Sequence, residues 1–141
     1  MSEVRSFICC RIYEIVSGCL TYVYLQGALV IKRRWLNLIL DRKKTWEIRG
    51  TPCNVRGLIK LAESGSSQLM GEARVVGCIS FKDLDEFKNH PEVWKSGIPP
   101  EEMHMVKYRN IFAWVLEDAK RYTPSRPYTH PQGAVTWVRL P

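Results

Sequence analysis

The chain has 141 residues, 45% of them hydrophobic and 25% charged, which suits one soluble globular domain with a core of its own. It contains no internal repeat, low-complexity tract, Walker-type phosphate loop, dinucleotide-binding glycine pattern or nucleophile elbow, which excludes the commonest NTPase, dehydrogenase and esterase designs. A formal net charge of +7 and a pI of about 9.3 point instead to a polyanionic partner such as RNA, DNA or a nucleotide.

The N-terminal part fits the remainder poorly. Ile15 to Ile31 is a 17-residue run without charge, at the short end of what a membrane span needs. Ser17, Gly18, Thr21, Gln26 and Gly27 dilute it, and Glu3 and Glu14 interrupt the basic leader that a targeting signal requires. Residues 1–27 are therefore expected to be a poorly ordered or loosely packed extension, with the domain proper spanning 28–141. Tyr22 to Leu25 has the strand propensity to add an edge strand. The cysteines (Cys9, Cys10, Cys19, Cys53 and Cys78) are odd in number and lack zinc-ligand spacing, as expected of reduced thiols in a cytoplasmic protein.

Ala28 to Ile31 is a short continuous apolar run, the pattern of a buried strand. Trp35, Leu36, Ile39 and Leu40 then recur at helical spacing and are assigned to the core. Seven Lys or Arg lie between Lys32 and Arg49 against only Asp41 and Glu47, a local balance of +5. One cation at the helix end suits the negative pole of the dipole, but Arg42, Lys43 and Lys44 exceed that need.

Thr45 to Arg49 alternates. Trp46 and Ile48 share one face of a strand, and Thr45, Glu47 and Arg49 share the other. A carboxylate two residues from a guanidinium on one face can hold it in a fixed pose for a phosphate or base edge. The same pair could equally be a surface ion pair that needs no ligand.

After a turn region over 51–56, Gly57 to Ser64 reads as a strand. Ser64, Gly65 and Ser66 could offer hydroxyls and backbone N–H groups to an anion, or simply form a turn. Leu69 to Ile79 is the clearest long strand, with Gly71 and Gly77 marking bulges that would curl a sheet. Asp83, with Glu86 three residues on, predicts a capped short helix ending near Pro91. Pro99 to Glu102 opens a second short helical stretch. His90 and His104 stand alone, and neither a metal site nor a cofactor is expected. Asn110 to Glu117 is an apolar strand, with Trp114 either in the core or at a barrel mouth. Asp118 to Thr129, with Pro124 and Pro127, reads as a long polar loop presenting Tyr128, and Gly133 to Leu140 closes the fold.

Several of these segments, in this order, resemble the ASCH domain superfamily. Leu29 to Trp35 and Leu38 to Arg49 are similar to its signature, an apolar helix followed by Gly-x-Lys-x-x-Glu-x-Arg. Lys44, Glu47 and Arg49 stand at the Lys, Glu and Arg positions, and Arg42 where the family often has Gly. Ser64 to Ser66, Gly71 to Val75, Arg126 to Tyr128, and Gly133 with Trp137 extend the likeness over about 110 residues. The resemblance implies an α+β fold, a small PUA-like β-barrel flanked by short helices, with a cleft lined by the Lys-x-x-Glu-x-Arg stretch and an RNA-related role.

Two functions follow from it. In a module binding RNA or a nucleotide, Lys43, Lys44 and Arg49 would neutralise phosphates, with Thr45, Ser64 and Ser66 nearby, Arg34 and Arg56 widening the patch, and Tyr128 or Trp114 stacking on a base. In a small hydrolase acting on RNA or on a modified nucleoside such as 4-acetylcytidine, Lys44 would be nucleophile or general base. Glu47 would then move the proton and Arg49 would steady the oxyanion. The deacetylating members carry Thr three residues after the lysine, where this chain has Glu47.

Overall fold

The computed structural model describes residues 27–141 in full, and the backbone of 11–16 and 19–24. Those two backbone segments are strands β1 (Arg11–Val16) and β2 (Cys19–Tyr24), which pair antiparallel with each other and not with the larger sheet. The rest of the N-terminal stretch, including Leu25 of the expected edge strand, lies outside the described residues. No helix among the described residues is long and apolar enough to cross a membrane.

The domain is one six-stranded mixed sheet with short helical segments. Strand β3 (Gly27–Ile31) is buried along its whole length, as its unbroken apolar run requires. It leads through Lys32 into helix α1 (Arg33–Leu40), whose Leu36, Ile39 and Leu40 face the core. Strand β4 (Trp46–Arg49) follows, then β5 (Gly57–Glu63) and β6 (Gln68–Phe81). Helix α2 (Leu84–Lys88) is capped by Asp83, whose carboxylate accepts from the Glu86 N–H at 2.8 Å, while the Glu86 carboxylate accepts in return from the Lys82 N–H. Two 3-10 turns, Val93–Ser96 and Pro100–Met105, lead into β7 (Ile111–Pro127), and β8 (Trp137–Arg139) ends the sheet.

The hydrogen-bonded order is β4-β7-β6-β5-β3-β8, with β3 and β5 parallel and all other pairs antiparallel. The register slips at Leu69/Gly71, Glu72/Arg74 and Val75/Gly77, so both marker glycines of β6 sit at bulges, which increase local twist. The sheet curls far enough that residues distant in its order meet. Trp114 of β7 stacks on Trp137 of β8 with ring centroids 5.7 Å apart. The end strands β4 and β8 are not paired with each other, and the seam between them stays open.

The polar stretch after Glu117 is not the expected loop. It continues β7 to Pro127, pairing with the first half of β6. Ala119 and Tyr122 are buried while their neighbours face solvent, so half of each turn of the pleat is polar. Asp118, at φ 54°, takes up the bulge opposite Ala73. Pro124 falls between Arg121 and Arg126, where the ladder skips, and Pro127 is the last strand residue, so neither removes a needed N–H. Pairing with β6 outweighs local propensity here.

The core lies on both sides of the sheet. The inner cluster joins Leu29, Ile31, Leu61, Val75, Trp114 and Leu116 to the buried face of α1. On the outer side, Trp46 and Ile48 pack with Phe81, Phe87, Met103 and Ile111, which fastens α2 and the 3-10 turns to β4. With its apolar side chains turned outward to that layer, β4 turns Glu47 inward to the seam.

Candidate functional site

A cavity of about 490 Å³ opens at the seam. Its floor is the inward face of β4. Glu47 is 5% exposed and lies between two cations, accepting from Arg49 Nε at 3.0 Å through Oε1 and facing Lys44 Nζ at 3.4 Å through Oε2. Arg49 also reaches across the seam, where Nη2 donates to the Val30 carbonyl at 2.9 Å. The Val30 N–H goes to the Thr136 carbonyl, while the β3–β8 ladder ends at Leu29↔Trp137, so Arg49 takes the carbonyl left over beyond that ladder.

Lys44 is 3% exposed. Its Nζ donates to the Trp46 and Ser96 carbonyls, each at 2.6 Å, in addition to facing Glu47. Three acceptors surround the three N–H groups that an ammonium offers. Burial pushes its pKa below the usual 10.5, the carboxylate of Glu47 works against that shift, and Arg49 adds to it. The lysine stem passes Gly97 so closely that a Cβ there would lie 3.2 Å from the Lys44 Cβ, and Gly97 has the positive φ (71°) that glycine tolerates best. Lys44 thus ties β4 to the first 3-10 turn, just before Ile98, which lines the cavity.

The rim is richer in cations than the floor. Among the described residues, Lys32, Arg34 and Lys107 line the cavity together with Lys44 and Arg49, against two carboxylates, Glu47 and Glu102. Arg34 is paired with Glu102 at 2.8 Å. Lys32 and Lys107 have no ion pair among the described residues. Trp35, half-buried, packs on the inner core and also forms part of the wall, so it is more than the core residue its spacing predicts. Tyr108 completes the aromatic lining.

Of the residues the sequence nominated, Lys44, Glu47, Arg49 and Ser64 meet in this cavity, as does Arg34. Lys43 is exposed outside it. Thr45 lines a separate pocket of about 240 Å³ with Arg42, Leu116 and Asp118. Ser66 is committed to its turn, donating to the Glu63 carbonyl at 2.8 Å and accepting from the Gln68 N–H at 3.0 Å. Tyr128 is not in the lining. It packs with Val30, Tyr122 and Leu140, and its hydroxyl bonds His130 Nδ1 at 2.8 Å. Trp114 is buried, stacked on Trp137 and donating Nε1–H to the Thr51 carbonyl at 2.8 Å, so its ring faces are not offered to a base. Arg56 donates to the carbonyls of Cys53 and Val55. Besides Trp35, Tyr108 stands at the cavity, in Lys107-Tyr-Arg109, where an aromatic flanked by cations was the available signal.

The model of the ASCH domain matches residues 29–126. The crystal structure of the ASCH protein from Zymomonas mobilis is similar in fold, with a TM-score of 0.62 at 14% identity over 83% of this chain and 88% of that one. Crystal structures of two variants of that protein give the same likeness at 14% identity and 83% coverage of this chain. A serine-to-alanine variant has a TM-score of 0.63 with 89% of its chain covered, and a tyrosine-to-phenylalanine variant 0.64 with 91%. No curated protein matches the chain.

Proposed function

The chain belongs to the ASCH domain family, a family generally linked to RNA binding, and we propose that the seam cavity is its RNA- or nucleotide-binding site. The observation that carries this reading is the division of labour among its cations. Those of the floor are held in place by Glu47 and by backbone carbonyls, while Lys32 and Lys107 at the rim are unpaired among the described residues. Arg49, with only Nε and Nη2 engaged within the chain, keeps fixed N–H groups for a base edge or a phosphate oxygen, and free rim cations suit the phosphates on either side. An exposed ion pair on a flat strand would not enclose such a volume.

The test is a titration of a short fluorescent single-stranded RNA at salt concentrations from about 50 to 200 mM, where each phosphate contact contributes a slope of about 0.7 in log–log form. Replacing Lys32 and Lys107 together by alanine lowers that slope by about 1.4. Absence of binding at the lowest salt, or a slope unchanged by the double variant, refutes the reading.

A second reading, hydrolysis of RNA or of a modified nucleoside such as 4-acetylcytidine, draws on the depressed pKa of Lys44. Here Lys44 acts as nucleophile or base, Glu47 accepts and returns the proton, and Arg49 steadies the oxyanion. It ranks second because the nitrogen would have to give up a proton now directed at Glu47 or a carbonyl oxygen. Acetate release from 4-acetylcytidine that disappears in a folded Lys44→Ala variant would reverse the order.

A further inference from the structure

Among the described residues two aromatic rings line the cavity, and one of them is open. The Trp35 ring has the Arg34 guanidinium 4.4 Å from its centroid and Lys44 Nζ 5.2 Å from it, so cations of the chain itself occupy its surroundings. Tyr108 lies between the second 3-10 turn and β7, 47% exposed, and makes no aromatic or cation contact among the described residues. Its position is set by Gly50, the residue directly after Arg49. A Cβ on Gly50 would fall 2.8 Å from Tyr108 Cδ1, 3.4 Å from Cγ and 3.5 Å from Cε1. The ring therefore rests against a backbone that only glycine leaves bare, at the end of the strand that carries the cavity floor.

The surroundings of this ring match one kind of ligand. Met105 and Val135, 63% and 78% exposed, supply apolar lining to the same cavity. Lys32 and Lys107 supply cations at the same mouth. A basic surface alone binds duplex as readily as single strand, since both present phosphates. A ring at a cavity mouth is of use only to a base that has left its stack.

We infer that Tyr108, seated on Gly50, is the stacking platform for one unpaired base of single-stranded RNA, and that this ring makes the cavity prefer unpaired over duplex RNA. The inference rests on the RNA-binding reading of the same cavity. The rim cations hold the flanking phosphates and contribute equally to any strand. The ring contributes only when a base is free.

The experiment compares binding of a labelled single-stranded RNA with that of the same strand annealed to its complement, for the wild type and for Tyr108→Phe, Tyr108→Ala and Gly50→Ala. The wild type and Tyr108→Phe prefer the single strand. Tyr108→Ala weakens single-strand binding by about tenfold, within the usual range for loss of one stacked base, with the salt slope and duplex affinity unchanged. Gly50→Ala, which keeps the tyrosine but pushes its ring aside, gives the same selective loss. Should that variant fail to fold, the exposed Tyr108→Ala decides alone. Single-strand affinity that survives Tyr108→Ala, while Lys32→Ala and Lys107→Ala weaken it, overturns the inference and leaves the RNA-binding reading standing. A wild type that binds neither RNA overturns both.

Discussion

Arg49 donates to the carbonyl of Val30 at 2.9 Å, joining β4 to β3 across a seam that no strand pairing closes. The same guanidinium holds Glu47 at 3.0 Å through Nε, so one side chain both fastens the curled sheet and orders the cavity floor. Fold and site are coupled at this residue.

Arg49→Lys separates those two tasks. A lysine keeps the charge but has no planar fork with which to reach Glu47 and Val30 together. We expect a loss of about 1 kcal/mol in urea denaturation, the scale of one hydrogen bond. RNA affinity falls further than that of a variant lacking one rim lysine. A lysine variant as stable and as tight as the wild type would show that the Val30 contact contributes nothing.

Lys44→Met tests the buried ammonium. Methionine fills the space of the stem but leaves Glu47 with Arg49 alone and two carbonyls without their donor, a cost of about 3 kcal/mol on the scale of a broken buried pair. The pH dependence has a definite sign. Lys44 titrates below 10.5 in the folded protein and near that value unfolded. Between the two values the unfolded chain binds more protons, so this residue's contribution to stability rises with pH. The stability gap between wild type and Lys44→Met therefore widens in favour of the wild type as pH climbs toward 10.5. A gap that narrows over that window refutes the assignment.

Glu72→Gln has its effect in acid. The Tyr122 hydroxyl, donating at 2.7 Å, holds the Glu72 carboxyl below its usual 4.5 against the opposing effect of burial, and Lys60 at 3.1 Å adds to it. A depressed carboxyl stabilises the fold above 4.5 and loses that contribution as pH falls through the folded value. Because the group is partly exposed, the effect is at most about 1 kcal/mol. Thermal melts between neutral and acid pH should fall more steeply for wild type than for the glutamine variant, whatever happens to RNA binding.

Gly71→Ala probes a close approach in the sheet. A Cβ there would lie 2.3 Å from the Lys120 carbonyl oxygen and 2.5 Å from Leu40 Cδ2. The β7 backbone and the Leu40 side chain must move, and overpacking of this kind costs about 2 kcal/mol. A fully stable alanine variant would mean that the bulge relaxes freely. By contrast, Gly77→Ala meets nothing nearer than 3.7 Å and serves as the control.

Much of the floor was legible without coordinates. Alternation over Trp46 to Arg49 places Glu47 and Arg49 on one face because successive side chains of a strand point to opposite sides. The buried β3, the amphipathic α1 and the Asp83 cap were equally readable, since each depends on neighbours a few residues away. Local reading failed where distant pairing ruled, as in Asp118 to Pro127, whose prolines and charges suggest a loop and whose partner in β6 makes it a strand.

The sequence by itself determined the family signature, the parity of β4 and the excess of cations near it, all of them properties of residues close in the chain. Only the tertiary structure decided which of two tyrosines stands at the cavity. Tyr128 and Tyr108 are both tyrosines in basic, non-helical surroundings, but curling of the sheet sends the first into the packing around Val30 and Leu140 and sets the second against Gly50 at the mouth. The physical reason is that curvature depends on bulges summed along β6 and on contacts such as Arg49 to Val30, which join segments whose separation in sequence carries no periodic signal.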